Sequence, residues 1–106
     1  MDLTKARLRL VTPPPPPHLE PPEAQLWNDL HTEYKLRDAS ALALLTSTLE
    51  AHARCRKCRV AIERDGETTA DRWGQVKPHP LLSAERDARA AFQAGMRLLG
   101  LDIGRS

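Results

Sequence analysis

The sequence is poor in aromatic residues: among 106 positions only Trp27, Tyr34, Trp73 and Phe92 carry a large ring. A core without aromatic bulk has to come from Leu and Ala, which suits helices. No apolar run approaches the roughly 20 residues needed to span a bilayer, so no membrane partner is expected. The start, "MDLTKARLRL", has basic residues but no apolar stretch ahead of a small-residue cleavage site, which excludes a secretory signal there. The two cysteines, Cys55 and Cys58, are then expected to stay reduced in a cytoplasm. There is no glycine-rich phosphate loop, no nucleophile motif and no histidine set by spacing against carboxylates. The expectation is a chain with no catalytic set and no cofactor, and no internal repeat is visible.

What is present begins with charge. Sixteen basic and 14 acidic residues give a net charge of only +2, so the local distribution decides more than the total. Residues 54–64, "RCRKCRVAIER", set five cations against one acid. Residues 1–18 read as a basic, proline-rich arm in which Lys5, Arg7 and Arg9 precede "PPPPP" at 13–17. That run has no backbone donors and is expected to be an extended spacer.

The periodicity predicts three helices. The first starts at Pro21-Pro22, where missing donors cost nothing, and carries Leu26, Trp27, Leu30 and Tyr34 on one face to about residue 35. The second opens after Asp38 and runs to about Arg64, where Asp65-Gly66 stops it. This long helix has two apolar stripes. Leu42, Leu45, Leu49, Ala53 and Val60 form one, interrupted by Arg56; Leu44, Ala51, Cys55, Cys58 and Ile62 form the other. Two apolar stripes mean burial on two sides, one of them expected against another subunit. Over 67–80 the helical period vanishes, and a hairpin and an extended arm fit equally. The last helix is expected from Ser83 to Gly100, with Ala84, Ala88, Ala91, Phe92, Gly95 and Leu99 facing inward. The fold class is thus mainly α: a helical hairpin with a long central helix, a short extended or hairpin segment, and a C-terminal helix. Residues 19–103 form the helical domain and 104–106 a tail.

The cysteine pair has three readings. A zinc site needs four converging ligands, and Cys55-x-x-Cys58 with His52 has no second pair at the usual spacing, so His79 would have to fold back. A redox pair sits at a helix N-terminus, and these cysteines fall well inside a helix. Packing as small residues on the second stripe is the reading that costs least. The cations divide on the helical wheel, Arg54, Lys57 and Arg64 on one flank and Arg59 on the other. They read equally as a solvated face and as phosphate contacts that are salt-sensitive and indifferent to sequence. The turn at 36–38 makes a poor helix-turn-helix, because the start of the following helix, "ASALALL", is apolar.

Three features in order carry a resemblance: the entry "PPPPPHLEPPEAQLW", a long central helix ending in "RDGE", and "KPHPLLSAERDARAAFQAGMRLLGLDI" closing on Leu-Gly-Leu. Together they resemble the small terminase subunits of tailed phages, of the P27-like family, over about residues 13–103. The resemblance implies a non-enzymatic part of a viral-type DNA-packaging machine in the cytoplasm of a bacterial host cell, from a phage, a prophage or a gene transfer agent. Its implied partners are double-stranded DNA, further copies of itself in a ring, and a large terminase subunit holding the ATPase and nuclease. On this reading Arg54, Lys57, Arg59 and Arg64, with Arg7 and Arg9 from the arm, are the expected DNA contacts. Leu44, Cys55, Cys58, Ile62 and Trp73 are the expected subunit interface. Two other readings stand beside it: a small zinc-dependent DNA-binding regulator using His52, Cys55, Cys58 and His79, and an antitoxin-like interaction module.

Overall fold

A computed structural model describes residues 12–101 of the chain. Helix α1 spans Pro21–Glu33 and opens on its two prolines. Helix α2 spans Ala39–Asp65 and ends where Gly66 takes φ = +89° while its N–H bonds Ile62 O at 2.7 Å. Asp38 sits at the N-cap of α2, but its side chain makes no cap hydrogen bond; its carbonyl accepts from Leu42 N at 2.9 Å. Strands β1 (Thr68–Ala70) and β2 (Val76–Pro78) pair antiparallel with Thr69 opposite Lys77, so residues 67–80 contain a hairpin rather than an extended arm. Helix α3 spans Leu82–Leu98.

The start of α3 corrects the sequence expectation. Ser83 lies inside the helix, and Leu81 is the N-cap. His79 organises this entry instead. Its carbonyl accepts from Leu82 N at 3.1 Å, and its Nδ1 accepts from Leu81 N at 3.0 Å. At the other end Gly100, at φ = +74°, closes the helix: Gly100 N bonds Arg97 O and Leu101 N bonds Met96 O, each at 3.0 Å. Met96 and Leu101 pack in the core beside this Schellman turn, as such ends require.

Both α1 and α3 run antiparallel to α2. On one side Trp27 and Leu30 of α1 meet Leu45 and Leu49, the most deeply buried leucines among the described residues. On the other side α3 packs along α2 over a longer contact. Phe92 lies edge-on to His52 with ring centroids 5.0 Å apart, and Gly95 lies against Thr48. The inner face of α3 differs from the expected one. Ala91 is exposed, while Glu85 and Met96 are buried with Ala88 and Gly95. Before α1, Trp27 Nε1 donates to Pro13 O at 2.9 Å and Leu19 N to Pro16 O at 3.1 Å, which lays residues 13–19 on the helices.

Gly95 is small because two helices meet there. A Cβ at this position would fall 2.9 Å from both Cβ and Cγ2 of Thr48, and nearer still to its Oγ1, which is itself bonded to Leu44 O at 2.7 Å. Gly95→Ala is therefore expected to destabilise the chain by about 1–3 kcal/mol despite its higher helix propensity. Thermal denaturation of G95A, with Thr48→Ala added to relieve part of the loss, measures this.

Candidate nucleic-acid interface

The cation cluster of α2 is largely occupied by acids from elsewhere in the fold. Arg56, which interrupts the first apolar stripe, reaches across to α1. Its Nε donates to Glu23 Oε2 at 3.0 Å and its Nη2 to Glu23 Oε1 at 2.9 Å, with a further bond to Glu20 Oε2 at 3.2 Å. Glu23 is fully buried and also accepts from His52 Nδ1 at 2.7 Å. The Arg56 fork, helped by His52, holds the Glu23 carboxyl below the usual carboxylate range against the cost of burial. Arg56 is pushed up in return by Glu23 and then Glu20. Lys57 pairs with Glu20, whose pKa falls first through Lys57 and then through Arg56.

The flanks divide in the same way. Arg59 turns toward α3, 3.6 Å from both Glu63 and the buried Glu85, which Arg89 also contacts. Arg64 chelates its neighbour Asp65 at 2.8 Å and 3.0 Å. Asp65 is held well below its ordinary range by Arg64 and then by His79, whose Nε2 donates to it at 2.9 Å. Arg54 alone of the five cations at 54–64 has no carboxylate partner among the described residues, and it lines a shallow groove with Lys57, Glu50 and His18. Arg54, Lys57 and Arg64 are all exposed and share the face of α2 that neither α1 nor α3 covers; Arg59 is separated from them. Arg7 and Arg9 lie outside the described residues.

The second stripe of α2 is covered by the chain itself. Cys58 and Ile62 are buried, at 7% and 8% exposure, and Cys55 is half-buried with Sγ 3.7 Å from Glu85 Oε1. The first stripe is buried at Leu45 and Leu49 but leaves Val60 exposed, and α3 covers the second stripe. Cys58 and Ile62 therefore present no surface to another copy. Leu44 is half-buried beside Leu98, and Trp73 stands exposed on the hairpin. The zinc reading required four residues to converge. Instead His52 is bound to Glu23 and His79 to Asp65, and no group of three or more His, Cys, Asp or Glu is placed to hold a metal among the described residues. Sequence reasoning missed the acids Glu20, Glu23, Glu85 and Asp65 as partners of the cluster. The signal was Arg56 itself, a cation set in an apolar stripe, which demands an acid on the facing helix.

The described residues form a three-helix unit with exposed cations on the open face of α2 and a hairpin between α2 and α3. Among its described residues no helix is long and apolar enough to cross a membrane. Residues 24–105 match the family model described as "Phage terminase, small subunit", and the chain belongs to that family. Comparison with curated proteins and with solved structures gives no match.

Glu23 supplies a pH-dependent part of the stability. Its folded pKa lies below the unfolded value, so its contribution is complete above about pH 4.5 and is lost as pH falls through the folded pKa. Glu23→Gln is expected to cost about 1.5–3 kcal/mol at pH 7, where hydrogen bonds to a charged group are lost. The gap between wild type and variant should narrow on acidification, as chemical denaturation at pH 7 and at pH 3 will show.

Proposed function

We propose that this chain is the non-catalytic, DNA-binding subunit of a DNA-packaging machine, assembling as a ring around or beside double-stranded DNA in the host cytoplasm and recruiting the large subunit that holds ATPase and nuclease. Membership of the terminase small-subunit family carries this reading. The open face of α2 supports its DNA-binding part. Arg54 is uncommitted there, and Lys57 and Arg64 lie beside it in contact with acids that are themselves solvent-accessible. Phosphate oxygens would compete for such exposed pairs, which are worth little in water. Arg59, held between Glu63 and Glu85, is the weakest candidate of the cluster. Arg7 and Arg9 would add cations from the arm. Because each copy offers few free charges, strong binding requires several copies acting together, and a ring supplies them by effective concentration.

Contacts of this kind are independent of base sequence. Affinity should fall with salt by about 0.9 in log K per log salt for each phosphate neutralised. Arg54→Ala with Arg64→Ala is expected to weaken binding to every duplex alike and to lower the salt slope by about 2 per copy engaged. Lys57 is left in place because it ties Glu20, at the entry to α1, to α2, whereas Arg64 pairs with its own sequence neighbour Asp65. Fluorescence anisotropy at several salt concentrations is the measurement, and an unchanged slope would place the DNA elsewhere.

A further inference from the structure

The hairpin carries an unusual surface. Trp73, at its tip, is 72% exposed, and Val76 beside it is 73% exposed. The Arg72 guanidinium lies 4.2 Å from the indole centroid and has no carboxylate partner among the described residues. The tip is stiff. Asp71 Oδ1 accepts from Trp73 N at 2.9 Å and Gln75 N at 3.0 Å, Asp71 O accepts from Gly74 N at 2.9 Å, and Lys77 lies 3.5 Å from the same carboxylate. A rigid, exposed Trp–Arg pair is the composition of an interface anchor, with little ordering entropy left to lose.

A complementary socket lies at the opposite end of the chain. Leu26 of α1 and Tyr34 at its C-cap, with Met96 and Leu101, form an apolar groove of about 240 Å³, bordered by Asp29 and Glu33. It is smaller than a typical ligand pocket and suits one aromatic side chain. Both acids are exposed, and neither has a cation partner among the described residues; the Asp29 carboxylate accepts from Gln25 Nε2 at 2.8 Å. An apolar floor with an acidic rim matches an indole carrying a guanidinium. The hairpin follows the C-terminus of α2, and the groove lies beside its N-terminus, 27 residues or about 40 Å away along the helix. The tip cannot reach the groove of its own chain.

We propose that the Arg72–Trp73 tip of one copy docks in the Leu26–Tyr34–Met96–Leu101 groove of the next, with Asp29 and Glu33 receiving the guanidinium. The contact is head-to-tail: each copy offers one plug and one socket, so repetition closes a ring or extends a filament. This deepens the reading of the chain as a ring-forming subunit and rests on it.

The test is absolute mass by light scattering on the full-length chain, with circular dichroism confirming that each variant keeps its helices. Trp73→Ala and the double variant Asp29→Lys, Glu33→Lys should each shift assembly to at least roughly 30-fold higher concentration, the loss expected for an anchor residue. Mixed one to one, the two variants should form a dimer of twice the 11.9 kDa chain and nothing larger, because one intact plug meets one intact socket. Wild-type mass for W73A overturns the contact while leaving the ring reading in place. So does a W73A ring that fails only to capture the large subunit, since the tip then serves that partner. Dissolution on deleting residues 102–106, with W73A intact, would assign the groove to the chain's own C-terminus. A wild type that stays monomeric at high concentration overturns both the contact and the ring reading.

Discussion

The fold depends on the bidentate ion pair between Glu23 and Arg56. A fully buried carboxylate is tolerable only with its lone pairs occupied, and Arg56 and His52 occupy them with bonds of 2.7–3.0 Å. The pair brings no large gain over a well-packed apolar contact, but it fixes the register of α1 on α2. A slide of one turn would set Glu23 against Ala53 or Val60 in place of the Arg56 fork. Apolar stripes of Leu and Ala tolerate several registers, and this one polar contact selects among them.

The same chemistry governs the surface. A sequence with five cations in eleven residues reads as a basic patch, yet the folded patch is mostly neutralised, because acids distant in sequence converge on it. Glu20 and Glu23 arrive from α1 and Glu85 from α3, at separations of about thirty residues that no local charge count registers. What survives as an open charged face is set by helix geometry: Arg54, Lys57 and Arg64 lie on the side of α2 away from both neighbours, Arg56 is drawn in toward α1, and Arg59, though exposed, lies apart beside Glu63 and Glu85.

The elements themselves were legible. Pro21-Pro22, Asp65-Gly66 and Gly100 mark helix ends by backbone chemistry that operates locally, and the structure uses all three. The double stripe of α2 pointed to burial on two sides, which holds at Leu45, Leu49, Ala51, Cys58 and Ile62 and fails at Val60. Pattern cannot say which chain provides the cover, because Cys58 and Ile62 are apolar alike against α3 or against another copy. The start of α3 escaped for a different reason. Ser83 is a good local cap, but His79, tied to Asp65 through its other ring nitrogen, fixes the helix entry earlier. A tertiary contact overrode a local preference.

The Asp65–His79 contact has a consequence for how this protein can change. It joins the two feet of the hairpin, and His79 N reinforces it by bonding Glu67 O at 2.8 Å. Everything from residue 68 to residue 78 is thereby an inserted cassette, clipped at its base and almost free of the helical core. Substitution, shortening or lengthening of the tip leaves α2 and α3 joined at the same angle. The chemistry presented at the tip can therefore change while the packed helices stay as they are, and such change need not come at the expense of the fold.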